Sequence, residues 1–123
     1  MAWVARADVA RLAAVLLIEP GHEGQVYDVT GPHAIDLLET ARILTKVTRR
    51  PITYLPETLE QARASRAGHL DWLIDGWIGS HVAIDTGEAS VTSHTIEHLT
   101  GRRPMTLAEF LAVEPSSFAH LTS

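Results

Sequence analysis

His81 and Asp85 stand four residues apart, the spacing that puts an imidazole and a carboxylate on one helical face, where the pair can hold and move a proton near neutral pH. A histidine satisfied by a neighbour in the core is the commoner outcome for such a pair, so proton transfer competes with a structural role. Trp77 lies one turn before His81, and Trp72 points elsewhere around the same helix. Either aromatic wall suits a flat, conjugated ligand, against the plainer alternative of core or interface packing. Tyr54, Tyr27 and Asp28 fall near the ends of extended stretches, where a hydroxyl or carboxylate can reach a ligand or simply hydrogen-bond its own strand. His94 and His98 have the i, i+4 spacing of two metal ligands. No third ligand accompanies them and Glu97 does not complete His-Glu-x-x-His, so no metal is expected. Ser93, His94 and Asp85 lack the strained elbow and oxyanion feature that a nucleophilic triad needs.

These side chains must be carried by helices and a pair of strands. Val26-Tyr27-Asp28-Val29 alternates apolar and polar before the breakers Thr30-Gly31-Pro32, and Pro51-Ile52-Thr53-Tyr54-Leu55 repeats the pattern before Pro56. Between them Asp36 and Glu39 form a capping pattern, and Leu37, Leu38, Ala41, Leu44 and Val47 predict a helix over about 37–48. Two strands joined by a helical crossover read as a small parallel β-α-β unit. Around it we expect helices over about 9–19 with Asp8 as N-cap, from Thr58 with Gln61 to Gly68, over about 70–85, from Thr92 or Ser93 to Leu99, and after the Thr106/Glu109 capping box. The fold class is therefore α/β and α-rich: one lobe over residues 1–114 and a flexible tail over 115–123.

Composition narrows the function. The chain has 123 residues, 46% of them hydrophobic, enough for one core. A net charge of -5, with Lys46 the single lysine among 10 basic residues, leaves no stripe for nucleic acid. Cysteine is absent, which removes disulfide and thiol chemistry. The longest apolar run, Leu12 to Ile18, is far short of the ~20 residues of a membrane span, and no basic leader precedes it, so the expected location is the cytoplasm.

Four stretches together, AWVARADVARLAAVLLIEPGHEGQVYDVTGP, the helix after it, RRPITYLP, and HLTGRRPMTLAEFL, resemble the C-terminal part of NmrA-like atypical short-chain dehydrogenase/reductases, including NAD(P)H:quinone oxidoreductase-like members. The resemblance covers about residues 3 to 113. It implies that Tyr27-x-x-Thr30-Gly31 ends the dinucleotide-binding sheet and that the segments C-terminal to it close over the substrate. It also places His33 where the chain turns toward that substrate.

The cofactor machinery of such enzymes is not found. A Gly-x-Gly-x-x-Gly turn between strand and helix is absent, since Gly21/Gly24 come after a helix and Gly76/Gly79 lie inside one. A Tyr-x-x-x-Lys pair is absent too: Gly31 stands four places after Tyr27, and Thr58 four after Tyr54. We therefore expect no dinucleotide held by this chain. A two-stranded pair leaves unpaired edges, which predicts completion by a homodimer or by a partner carrying the nucleotide half. The expected function is binding of an aromatic or quinone/polyketide-like molecule by a substrate lobe. The alternatives are a cofactor-independent isomerase, cyclase or dehydratase using His81 and Asp85, and a regulatory or scaffolding module. The expected contacts are Trp77, Trp72, Tyr54 and His33.

Overall fold

The computed structural model describes residues 1–121 and is helical among them. Six α-helices run in order: α1 (Arg6–Ile18), α2 (Leu37–Thr48), α3 (Leu59–Ser65), α4 (Asp71–Asp85), α5 (Thr95–Thr100) and α6 (Leu107–Val113). Glu88–Ser90 and Pro115–Leu121 form 3₁₀ turns. Among the described residues no helix is long and apolar enough to cross a membrane.

The local signals act as their chemistry demands. Asp36 caps α2, its Oδ1 accepting the Glu39 N–H at 2.6 Å. Thr58 with Gln61 and Thr106 with Glu109 form reciprocal capping boxes that open α3 and α6. Gly101, at φ 66°, ends α5 in the left-handed conformation a side chain would disfavour.

Three expectations need correction. The parallel β-α-β unit does not form: no strand occurs among the described residues, including Val26–Val29 and Ile52–Leu55. Alternation marks a segment fit for a sheet, but a ladder needs a neighbour, and the backbone groups here find other partners. The Asp28 carbonyl accepts from Ser93 Oγ at 2.6 Å. Thr45 Oγ1 takes both polar groups of Ile52, accepting its N–H at 2.9 Å and donating to its carbonyl at 3.1 Å. The N-terminal residues lie beside the turn after Val29, with Ile35 N–H donating to the Met1 carbonyl and Ala2 N–H to the Ala89 carbonyl.

Asp8, secondly, is no N-cap. α1 begins earlier, after Ala5, and Asp8 is fully buried. Its two oxygens accept from Arg11 Nη2 and from the Met105 backbone N–H, each at 2.8 Å. The short helix, thirdly, is not capped by Thr92 or Ser93: it starts at Thr95 after His94, which makes no side-chain cap bond, and the Ser93 hydroxyl donates to the Asp28 carbonyl instead.

The core is small. α1 packs on α5 through Leu12 and Ile96, and α2 on α6, where Ala41 and Leu111 are buried. Trp3 Nε1 donates to Thr40 Oγ1 at 3.1 Å, tying the N-terminal segment to α2. Gly31 permits that approach, since a Cβ there would sit 1.7 Å from the Trp3 carbonyl oxygen. α3 packs on α4, but only Ile74 of the two is buried. That thin pairing leaves a cleft between them.

Candidate functional site

One ion pair ties α3 to α4, Arg63 meeting Asp75 at 2.6 Å, and a second, Arg66 Nη1 to Glu57 at 3.0 Å, joins the two ends of α3. Between the two helices opens a cleft of about 500 Å³, within the usual range for a small-molecule site. Leu55, Pro56, Leu59, Ala62, Ile78 and Val82 supply its apolar lining. Tyr54, Glu57, Arg66, His81 and Asp85 supply the polar groups. A second cleft of about 520 Å³ adjoins it, and Tyr54, His81 and Asp85 line both. Its remaining walls include Asp36, Leu37, Leu38 and Ile84.

Each polar group has a definite condition. The Arg66 guanidinium, first, and the Ser65 hydroxyl hold the Glu57 carboxyl below the usual carboxylate range. Arg66 Nη1 also lies 2.8 Å from both the Ala62 carbonyl and Ser65 Oγ, so this one nitrogen is turned to the rim. His81 Nδ1 lies 2.8 Å from the Trp77 carbonyl oxygen. A carbonyl only accepts, so Nδ1 carries the hydrogen and the lone pair of the neutral ring is on Nε2. Neither Nε2 nor the Tyr54 hydroxyl nor the Asp85 carboxylate has a hydrogen-bond partner among the described residues. The three can therefore engage a ligand without first breaking a protein bond. They can donate and accept hydrogen bonds and relay a proton between His81 and a ligand heteroatom.

The structure thus brings together three of the expected site residues: Tyr54, from the segment before α3, with His81 and Asp85 from α4. The other three lie elsewhere. Trp77 packs its ring edge-to-face on His69, centroids 5.1 Å apart, and lines neither cleft. Trp72 is 69% exposed and lines neither. His33 lines a separate polar cleft of about 390 Å³ with His94, Glu97, Arg103 and Glu109. His81 is exposed rather than satisfied in the core, because the part of the α4 stripe beyond Ile74 has too little packed over it. Glu57, Arg66 and the aliphatic walls were not singled out for function in the sequence. The Thr58/Gln61 box marks only where α3 starts, not what it faces.

His94 Nδ1 lies 3.8 Å from Glu97. Among the described residues no group of three His, Asp or Glu side chains could hold a metal ion. Tyr27 Oη pairs with His22 Nδ1 at 2.8 Å, away from either large cleft. A dinucleotide pyrophosphate needs backbone amides at a strand-to-helix turn. Gly21 and Gly24 occupy an exposed turn after α1, and Gly76 and Gly79 lie within α4, so the described residues do not fit that group.

Known proteins resemble this chain in sequence and in structure. No family model matches the chain. NAD(P)H azoreductase of Xenophilus azovorans is 32% identical over 120 residues, covering 96% of this chain and 42% of that protein. Quinone oxidoreductase 2 of Escherichia coli is 37% identical over 111 residues, covering 89% and 39%. The crystal structure of an NADPH-dependent quinone oxidoreductase from Escherichia coli superposes with a TM-score of 0.82 at 34% identity, over 100% of this chain and 43% of that one. Triphenylmethane reductase of Citrobacter sp., in complex with NADP(H), gives 0.79 at 28% identity, over 92% and 40%. The chain spans about two-fifths of the length of the curated relatives it matches. The similarity to NAD(P)H-dependent quinone and azo reductases agrees with the resemblance carried by the four sequence stretches.

Proposed function

We propose that this chain is the acceptor-binding lobe of an NmrA-like, NAD(P)-linked oxidoreductase, corresponding to its C-terminal part, and that the α3/α4 cleft takes a flat conjugated molecule such as a quinone. The observation that carries this reading is the convergence of Tyr54, His81 and Asp85 on an apolar-walled cleft. Relatives named for azo, quinone and triphenylmethane substrates support the ligand class. In this reading Leu55, Leu59, Ile78 and Val82 remove the ligand's faces from water, at about 25 cal/mol per Å² of apolar area. The Tyr54 hydroxyl donates to a ligand oxygen, and the His81 tautomer set by the Trp77 carbonyl directs a lone pair at a ligand hydroxyl. The lobe positions an acceptor and holds no nucleotide of its own.

Calorimetric titration of the 123-residue chain with menadione tests this, with NADPH as a parallel arm. Saturable menadione binding with micromolar Kd and no saturable NADPH binding is the expected pair of results. Absence of menadione binding removes the ligand class, and micromolar NADPH binding removes the division of labour.

A cofactor-independent acid/base enzyme is the second reading, favoured by the unpartnered Nε2 of His81 one helical turn from Asp85. Turnover of an enolisable ketone that His81→Ala abolishes supports it, and turnover indifferent to that change rejects it. For completion of the lobe we propose a homodimer rather than a partner carrying the nucleotide half, supported by exposed apolar residues such as Leu17, Ile18 and Val26, the last 94% exposed. Sedimentation equilibrium at micromolar concentration should return twice the chain mass of 13.4 kDa, and a monomer there removes it.

A further inference from the structure

The α3/α4 cleft is unbalanced in charge, and Asp85 is the reason. Four of its lining residues carry or can carry charge: Glu57, Arg66, His81 and Asp85. Glu57 and Arg66 cancel each other at 3.0 Å. With His81 neutral, Asp85 remains as the uncompensated charge. No cation among the described residues pairs with it.

Its position strengthens the effect. Asp85 is the last residue of α4, a 15-residue helix, whose free carbonyls there carry the negative end of the helix dipole. A carboxylate at a helix C-terminus is the sign that the dipole disfavours, so its placement is not a helix-stabilising one. The same residue lines the second cleft, so with Tyr54 and His81 it stands where the two adjoin.

We infer that Asp85 is a charge-selecting residue. The cleft admits neutral and cationic conjugated ligands, an ammonium or iminium substituent lying toward the α4 C-terminus, and discriminates against ligands bearing sulfonate, carboxylate or phosphate. This inference rests on the acceptor-binding reading above and adds the substrate class within it. A solvent-accessible charge contributes a few-fold for one sign and a similar factor against the other, so a cationic and an anionic isostere differ about tenfold in Kd.

Three 1,4-naphthoquinones provide the test: menadione, the 2-sulfonate, and the 2-(trimethylammonio)methyl derivative, titrated into the full chain at pH 8.5, above the usual imidazole range. Wild type should bind the cation about tenfold more tightly than the sulfonate, with menadione between. Asp85→Asn should narrow the gap to within about threefold, mainly by improving the sulfonate. Raising NaCl from 20 to 500 mM should narrow it in wild type as well, a measurement that needs no variant. Equal affinities in wild type, a tighter sulfonate, or a gap that survives both Asp85→Asn and high salt overturns the inference while leaving the binding lobe standing. Failure of all three quinones to bind overturns both.

Discussion

Replacing Asp8 by Ala should be among the most damaging single changes in the chain. The carboxylate is fully buried and joins α1 to the segment before α6, 97 residues away in sequence, through the Met105 N–H at 2.8 Å. Truncation leaves that amide without a partner, which costs about 1–3 kcal/mol. It also removes the counter-charge of Arg11, held at 2.8 Å. Breaking a fully buried pair costs about 3–5 kcal/mol, but the Arg11 side chain is 29% exposed, and access to water reduces its share to about 1–2 kcal/mol. The two contributions sum to about 2–5 kcal/mol, against roughly 5–15 kcal/mol of total stability for a domain. Asp8→Asn keeps an acceptor for Met105 and loses only the charge, so about half that loss is expected. Urea unfolding monitored by circular dichroism at 222 nm measures both. With a slope of order 1–3 kcal/mol per molar, the Ala midpoint should fall by about 2 M and the Asn midpoint by about 1 M. An Asp8→Ala midpoint within 0.3 M of wild type, or an Asn variant worse than the Ala one, would falsify the anchoring role (about 0.5 kcal/mol being the resolution of such slopes).

Gly31→Ala should cost about 1–3 kcal/mol or more in the same assay, because its Cβ would meet the Trp3 carbonyl at 1.7 Å; an unchanged midpoint would contradict the close approach. Thr45→Val should cost about 1–3 kcal/mol by leaving both backbone groups of Ile52 unpaired, and Thr45→Ser should recover most of it. Arg103 and the Thr106 N–H and hydroxyl hold the Glu109 carboxyl down, at about 2. A depressed carboxylate stabilises the fold above its ordinary value of 4.5, and that stability is lost as pH falls toward about 2. The stability difference between wild type and Glu109→Gln should therefore shrink from pH 5 to pH 2; a constant difference would count against it. Tyr54→Phe and His81→Ala should each weaken menadione binding about three- to tenfold with no loss of unfolding midpoint, as expected for groups without protein partners beyond the Trp77 carbonyl.

The helices were legible in the sequence because their signals are short-range. Asp36, Thr58 and Thr106 each satisfy an amide three residues on, and Gly101 ends α5 through its own backbone freedom. The i, i+4 placement of His81 and Asp85 on one face comes from the same helical period. Trp72 and Trp77 show the limit of that reasoning: periodicity says which face a residue occupies, but only packing says whether anything faces it. Trp77 found His69, and Trp72 found solvent.

What tertiary structure alone decided was every choice between distant partners. An alternating segment does not name its neighbour, so Val26–Val29 and Ile52–Leu55 read as paired strands while their backbone groups answered to Ser93 and Thr45. An aspartate at the head of an apolar stripe reads as a cap until a backbone amide 97 residues on claims it. Tyr54 joins His81 and Asp85 because α3 folds back on α4, a contact set by how two largely exposed helices meet and by no feature of either alone.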